Sequence, residues 1–128
     1  MLEITPIQTK EEQKEICELC EVEFDPDCLA YGAKENGKLL GVSQFRILGK
    51  YAVIYDLSNA LNVDDLEALI IIGKGTLNFI DLCGVKDVII KYRGISPVYK
   101  ILGFKKDSDG VYRVNLEGYF DSPCGRKS

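Results

Sequence analysis

The sequence contains no histidine among its 128 residues, and this absence argues against a metal site. Cys17 and Cys20 form a C-x-x-C pair with Cys28 beyond it, but a fourth zinc ligand would have to come from distant Cys83 or Cys124. Cys17 and Cys20 also fall one turn apart in a helical pattern, where free cysteine acts as a small hydrophobic side chain. We therefore predict buried thiols and no bound metal.

Long hydrophobic runs are also lacking. Apolar stretches such as residues 68–72 fall far short of the roughly 20 residues that cross a bilayer. The N-terminus has neither the basic flank nor the apolar core of a secretory signal peptide. Five cysteines, an odd number, make a poor disulfide framework. These absences predict a cytoplasmic protein with reduced thiols and no membrane association.

Positive charge is scarce overall. The formal net charge is −4 and the isoelectric point is near 4.9, which argues against a nucleic-acid-binding surface. The charge is uneven, because residues 1–35 hold ten acidic residues and three lysines, whereas residues 84–106 hold six basic residues and one aspartate. The two charged segments could be ordinary solvent-exposed faces, or their charge could serve to attract a ligand. The sequence leaves both explanations open.

The first half of the chain is typical of strands joined by turns. Leu2, Ile4 and Ile7 indicate a first strand, and Thr9 with Glu12 has the form of a capping box that begins a helix ending near residue 20. An acidic loop follows over residues 21–27. Residues 29–34 and 38–48 are predicted to form a hairpin around an Asn-Gly turn, with residues 51–59 as a third antiparallel strand.

The second half alternates between helix and strand. Helical periodicity covers residues 64–83, with acidic residues at the start and Gly84 after the end. Residues 87–91 are apolar enough to predict a central strand buried on both faces. Ser96 and Pro97 suit the start of a short helix that runs to residue 102, and residues 104–106 and 111–115 are predicted as the last strands.

The resulting order is β-α-β-β-β-α-β-α-β-β. It predicts an α+β domain over residues 1–117, built on a mixed, mostly antiparallel sheet flanked by helices. Residues 118–128 are mostly polar and are predicted to form a mobile tail.

Two stretches in this order resemble the GNAT superfamily of acyl-CoA N-acyltransferases. Residues 96–104, Ser-Pro-Val-Tyr-Lys-Ile-Leu-Gly-Phe, are similar to the family's C-terminal Tyr-Glu-Lys-x-Gly-Phe signature. Residues 54–57, Ile-Tyr-Asp-Leu, followed by a long helix and then residues 83–88, resemble the family's central strand, helix and next strand without a gap. The resemblance covers residues 1 to about 117 and implies the GNAT fold.

The sequence departs from the family at the turn that binds the diphosphate of coenzyme A. In the family this turn carries Arg/Gln-x-x-Gly-x-Gly/Ala, whose glycines let backbone N–H groups approach the phosphates at a helix N-terminus. The aligned residues 64–69 are Asp-Asp-Leu-Glu-Ala-Leu. Three carboxylates therefore stand where phosphate would bind, and like charges at about 4 Å repel by about 1 to 4 kcal/mol per pair. We predict that this turn does not hold the diphosphate in the usual way.

Residues 73–76, Gly-Lys-Gly-Thr, look like a phosphate loop but lack its pattern. A P-loop has Ser or Thr directly after Gly-Lys and another glycine five residues before that Gly, where this chain has Ala68. Both glycines also fall within a helical pattern. We interpret Gly73 and Gly75 as places where another backbone or a bulky side chain approaches the helix, at a cost in helix propensity of about 1 kcal/mol each.

The resemblance implies two catalytic residues. Tyr99 aligns with the tyrosine that protonates the departing thiolate in many family members, and Asp56 aligns with strand carboxylates that act as general bases through water. Structural alternatives stay open for both: a tyrosine packed on the sheet with its hydroxyl at the edge, and an aspartate that caps a backbone group or faces solvent.

The resemblance also implies a binding site for acetyl-CoA or another acyl-CoA. Backbone N–H groups around Leu57, Ser58 and Asn59 would hold the pantetheine arm and polarise the thioester oxygen. Lys91 and Arg93 would supply the positive charge that the acidic turn lacks.

The implied function is acyl transfer from an acyl-CoA to an amine. The acidic loop lies where such folds build the acceptor site, which suits a cationic amine, and the resemblance also allows a homodimer. The alternative is a non-catalytic GNAT-fold protein that binds a peptide, a protein or a small ligand. A peptide or protein partner would add a strand to the sheet edge that is exposed where two neighbouring strands separate. The sequence leaves these two functions open.

Overall fold

The computed structural model of the chain describes residues 2–91 and 97–120. The helices and strands are, in chain order, β1 (Leu2–Pro6), α1 (Lys10–Leu19), β2 (Leu29–Glu35), β3 (Lys38–Leu48), β4 (Tyr51–Asn59), α2 (Leu66–Leu82), β5 (Asp87–Ile90), α3 (Pro97–Ile101), β6 (Lys105–Lys106) and β7 (Tyr112–Asn115). Their order is the predicted one, and the α+β class is confirmed.

The strands form one mixed sheet in the order β1-β2-β3-β4-β5-β7-β6. Neighbouring strands are antiparallel except β4 and β5, which are parallel and joined through α2. This is the predicted meander of β2, β3 and β4 followed by a βαβ crossover. None of the helices in the described ranges is long and apolar enough to span a bilayer.

The two faces of the sheet carry different helices. On β3, the Ser43 hydroxyl lies 2.7 Å from the Thr76 hydroxyl of α2, whereas the adjacent Val42 packs with Ile16 and Cys20 at the end of α1. Because successive strand residues face opposite sides, α2 and α1 lie on opposite faces. Helix α3 shares the larger core with α2, through residues that include Val98.

Local sequence signals operate at the element ends as predicted. The Thr9 hydroxyl accepts a hydrogen bond of 3.1 Å from the backbone N–H of Glu12 at the start of α1. Asn36 and Gly37 both have positive φ, 54° and 82°, as the tight hairpin turn between β2 and β3 requires. Gly84 follows the last turn of α2 with φ 84°, the left-handed conformation that ends many helices.

Strand β4 contains a bulge beside its parallel partner. Gln44 of β3 pairs with Asp56, but Phe45 pairs with Ile54, so Tyr55 is an extra residue in the ladder. Ile54 and Leu57 consequently both lie in the larger core although they are three positions apart. The bulge changes the direction of the strand at the point where β5 stops pairing with it.

The prediction that β5 is buried on both faces is wrong for one face. The strand is central, between β4 and β7, and Val88 and Ile90 are buried against the helices. Ile89 points to the other face and is only half-buried. Helix α1 contacts β3 on that face, so it leaves β5 partly uncovered.

Gly73 and Gly75 have the packing role that was predicted. A Cβ at Gly73 would lie 2.5 Å from Cδ1 of Leu102, the residue that follows α3. A Cβ at Gly75 would meet the side chain of Ile4 in β1 at 3.4 Å. Each glycine therefore lets a bulky side chain lie against the backbone of α2.

The start of the predicted tail is attached to the domain. The Tyr119 hydroxyl donates a hydrogen bond of 2.6 Å to the carbonyl of Leu102, and the Lys74 ammonium lies 5.8 Å from the centre of the Tyr119 ring. Burial raises the pKa of Tyr119. Residues 118–120 are thus part of the folded unit, and residues 121–128 lie outside the described ranges.

Candidate functional site

A pocket of about 550 Å³ lies between β4 and the acidic loop, residues 21–27, that follows α1. Loop residues 21–26 form one wall, and Tyr55, Asp56 and Ser58 of β4 form the other, together with Lys91. Four of these side chains are acidic, Glu21, Glu23, Asp25 and Asp56, against one lysine. The pocket therefore favours a cationic ligand.

One edge of β4 opens beside this pocket. The parallel pairing with β5 ends at Ile54, where the backbone N–H of Lys91 donates a 3.1 Å bond to the Ile54 carbonyl. On the other edge, the N–H of Ala60 donates to the Leu40 carbonyl, which fixes the alternation of the ladder with β3. Leu57 and Asn59 therefore direct their backbone groups away from β3. No strand in residues 2–91 or 97–120 pairs with them there.

A buried glutamine connects the two walls of the pocket. The Nε2 of Gln44 donates to Oδ2 of Asp56 at 2.8 Å and to the Glu23 carbonyl at 2.7 Å. Its Oε1 accepts from the Asp25 N–H at 3.2 Å and from Nε2 of Gln13 at 2.8 Å. Gln44 is fully buried, and these bonds use both donor and both acceptor positions of its amide.

Gln13 extends this network into helix α1. It is 1% exposed, and its Nε2 also donates to the Asp25 carbonyl at 3.2 Å. Its Oε1 accepts from the Lys10 ammonium at 3.0 Å, and that ammonium also reaches the Cys28 carbonyl at 2.6 Å. The acidic loop is thus held at Glu23 and Asp25, and the chain just after it at Cys28, by side chains beneath it.

Three buried thiols surround the same region. Burial, with a smaller contribution from the negative charge of Asp56, raises the pKa of Cys17 to about 11. Burial raises the pKa of Cys20 to about 12, and burial followed by the charge of Asp25 does the same for Cys28. These cysteines are therefore protonated, unreactive core side chains at neutral pH, as the sequence predicted.

The N-terminus of α2 is capped by one of the protein's own side chains. The Asp65 carboxylate accepts a 3.0 Å hydrogen bond from the Ala68 N–H, which caps the helix, and Glu67 lies in the first turn. The Asn59 amide donates to the Leu40 and Asp65 carbonyls and accepts from the Asp65 N–H. The end of β4 and the start of α2 are therefore joined without a ligand.

The predicted site residues fall into separate groups. Asp56, Ser58 and Lys91 line the pocket together, and the Leu57 side chain lies in the core behind it. Tyr99 does not line the pocket: it is 3% exposed, and its ring lies 5.9 Å from that of Phe104.

Asn59 and Arg93 complete the predicted set. The Asn59 side chain is engaged in the β4–α2 junction, and Arg93 lies outside the described residues. Sequence analysis missed Gln13 and Gln44, whose only signal was a polar residue beside apolar ones, Ile16 and Cys17 in α1 and Val42 in β3.

Comparison of the whole fold with solved structures identifies its type. The ribosomal-protein-S18-alanine N-acetyltransferase from Escherichia coli superposes with a TM-score of 0.71 at 12% identity, covering 100% of this chain and 99% of that one. The PaiA N-acetyltransferase from Thermoplasma acidophilum, in complex with coenzyme A, gives 0.69 at 12% identity, covering 90% and 99%. The chain has the GNAT fold. A GNAT family acetyltransferase from Brucella melitensis, in complex with acetyl-CoA, gives 0.68 at 14% identity, covering 91% and 88%.

The GNAT fold is therefore reached without close sequence similarity. No protein-family model matches the sequence, and no curated protein matches it. Within this fold, the open edge of β4 has backbone groups directed away from β3. At the turn before α2, Asp65 caps the helix, and Asp64 and Glu67 add negative charge beside it.

Proposed function

We propose that this protein transfers an acyl group from a thioester of the acyl-CoA type to a cationic primary amine. The observation that carries the proposal is the position of Asp56, whose carboxylate lies in an acidic pocket beside the open edge of β4. The edge and the pocket meet, so a donor along the strand and an amine in the pocket would approach each other.

Each group has a proposed task. The acidic loop attracts the ammonium form of the amine, and Asp56 takes its proton, directly or through water, so that the free amine can attack the thioester carbonyl. The backbone N–H groups of the Leu57–Asn59 edge stabilise the oxygen that becomes negative. Tyr99 of α3 is proposed to protonate the departing thiolate.

The donor is proposed to bind mainly through its pantetheine arm. In this proposal the N-terminus of α2, which Asp65 caps, does not hold the diphosphate, so Lys91, at the pocket, and Arg93 are proposed to supply the compensating charge. Replacing both by alanine should weaken acyl-CoA binding and leave binding of pantetheine, which has no diphosphate, unchanged. Equal acyl-CoA affinity in the variant would remove these two residues from the proposal.

The test of function begins with ligand-dependent stability. Thermal unfolding is measured with acetyl-CoA, coenzyme A and pantetheine, because a ligand at 100 times its Kd adds about 2.7 kcal/mol to the stability. A saturable rise with acetyl-CoA is followed by mass-spectrometric detection of acetylated products from a panel of amines. Absence of any shift at millimolar acetyl-CoA, with no acetylated amine, would contradict the proposal.

The second candidate is a non-catalytic GNAT-fold protein that binds a peptide. The Asp65 cap supports it, because a carboxylate occupies the helix N-terminus where the proposed diphosphate site would lie. A peptide would add as a strand along the Leu57–Asn59 edge through main-chain hydrogen bonds. Peptide-library binding that acetyl-CoA does not displace, together with no transfer to any amine, is the result expected for this alternative.

A further inference from the structure

We infer that Gln44 is a positioning residue that fixes the Asp56 carboxylate and the acidic loop in one relative arrangement. The inference rests on the proposed function for the role of Asp56, but the arrangement itself is visible in the bonds of Gln44. One amide contacts both walls of the pocket.

The orientation of the Gln44 amide is determined by its partners. Its Nε2 faces two acceptors, the Glu23 carbonyl and the Asp56 carboxylate, whereas its Oε1 faces two donors, from Gln13 and Asp25. If the amide were flipped, its oxygen would face the two acceptors and its NH₂ group would face the two donors. All four hydrogen bonds would then be lost. Only one rotamer satisfies the network, so Gln44 holds its neighbours in a single geometry.

Packing alone does not explain a glutamine at this position. Gln44 is fully buried on β3, and its neighbour Val42 on the same face is an apolar core residue. An apolar side chain of similar length would fill the same space. It would leave the Glu23 carbonyl and the Asp25 N–H without these partners, and leaving a partly buried polar group unpaired destabilises the arrangement that needs it.

The bulge in β4 lies directly beside this connection. Gln44 pairs with Asp56, and the extra residue Tyr55 is next to Asp56 in the ladder, so two of the three pocket-lining residues of β4 sit beside the glutamine. Gln13 then fixes Gln44 from α1, and the Lys10 ammonium fixes Gln13. The acidic loop and the candidate base are thus positioned by the same chain of buried side chains.

The direct test is Gln44→Met, which keeps side-chain length and removes every hydrogen bond. The matched control is the double variant Ser43→Ala, Thr76→Val, because that buried pair is bonded at 2.7 Å one residue away on β3 but faces α2. Both changes remove buried polar contacts, so both lower stability. Only the first one should alter the pocket.

Two readouts separate positioning from stability. Hydrogen exchange is followed at the Cys28 amide, which bonds to the Asp25 carbonyl and does not touch Gln44. We expect at least tenfold faster exchange there in Gln44→Met, with kcat at least tenfold lower and KM for the amine raised. In the control, exchange at Cys28, kcat and KM should stay at wild-type values.

The outcomes distinguish this inference from the proposed function. Unchanged Cys28 exchange and unchanged kinetics in Gln44→Met would overturn the positioning role, because the methionine would then be a sufficient replacement. Faster exchange with unchanged kcat and KM would overturn the part that concerns Asp56. Failure of the wild-type protein to acylate any amine would overturn the proposed function, and the exchange comparison would still support or overturn the link between Gln44 and the loop.

If Gln44→Met does not fold, Gln13→Leu is used instead. It removes one hydrogen bond of Gln44, so we expect the same changes in exchange, kcat and KM, but smaller ones.

Discussion

Gly73 lies so close to Leu102 that helix α2 has no room for a side chain at that position, since a Cβ there would be 2.5 Å from Cδ1 of Leu102. Leu102 is 1% exposed and cannot move outwards without disturbing the core. The contact joins the long helix to the residue that follows α3, and α3 itself carries the candidate acid Tyr99.

Gly73→Ala is expected to lower the free energy of unfolding by about 1 to 3 kcal/mol, the usual cost of overpacking. Gly75→Ala is the matched control, because its Cβ would meet Ile4 at 3.4 Å, an ordinary contact. That variant should be neutral or up to about 1 kcal/mol more stable, since alanine favours the helix over glycine. Urea denaturation measures both. Equal effects of the two substitutions would show that the contact with Leu102 does not determine the choice of glycine.

The order of elements was predictable because each element has a local signal. Thr9 caps α1, Asn36-Gly37 turns the hairpin, Asp65 and Gly84 bound α2, and hydrophobic periodicity supplies the rest. The partner of Gly73 and the bulge at Tyr55 have no such signal. They depend on which strands pair and in which register, and that is fixed only when distant segments pack together.

The candidate site was predictable only where the resemblance assigned a residue to a strand. Asp56, Ser58 and Lys91 do meet at one pocket. Gln13 and Gln44 could not be found, because they are far apart in sequence and each alone is an ordinary polar residue. Tyr99 lies in the core beside Phe104, since its helix buries one face against the sheet.

Asp56→Asn is expected to lower kcat for amine acylation by about 10²- to 10⁴-fold, because the amide cannot take a proton. Its stability should change little, since an amide oxygen can still accept the Gln44 hydrogen bond. The control is Asp27→Asn, which changes the same charge in the loop at an exposed residue that does not line the pocket. An Asp56→Asn variant with wild-type kcat would exclude Asp56 as the base.

Tyr99→Phe is expected to lower kcat by about 10²-fold and to leave KM for the acyl-CoA unchanged, because only proton donation to the thiolate is lost. The ring contact with Phe104 remains, so stability should fall by no more than about 1 kcal/mol. Tyr51→Phe, at an exposed position on the first residue of β4, is the control. Wild-type turnover in Tyr99→Phe would show that Tyr99 is a core residue with no catalytic role.

Removing negative charge at the start of α2 should improve coenzyme A binding. The double variant Asp64→Asn, Glu67→Gln keeps the Asp65 cap and should bind coenzyme A about fivefold more tightly for each carboxylate removed, from about 1 kcal/mol of repulsion each. Isothermal titration at low salt measures the change. Binding of pantetheine should not change, and neither should coenzyme A binding in Glu35→Gln, a control with the same type of charge change on β2. Equal tightening of both ligands would mean that the diphosphate does not lie near this turn.

The buried thiols predict a loss of stability at alkaline pH. In the unfolded chain a thiol titrates near pH 9.0, whereas the folded values of Cys17, Cys20 and Cys28 are about 11, 12 and 12. The unfolded state therefore loses protons first, and the free energy of unfolding should fall as the pH rises from 9 towards 12. Urea midpoints under reducing conditions should drop more steeply above pH 9 in the wild type than in Cys28→Ala. Cys83→Ala, at an exposed cysteine, should keep the wild-type slope.

Asp65 completes the first turn of α2 with an atom of the protein itself. Where a bound phosphate completes such a turn, the stability of the corner depends on the concentration of that ligand. Here the hydrogen bond that completes the turn is intramolecular, so its formation needs no ligand. The order of this corner is therefore encoded in the sequence, at Asp65, rather than set by the supply of a small molecule.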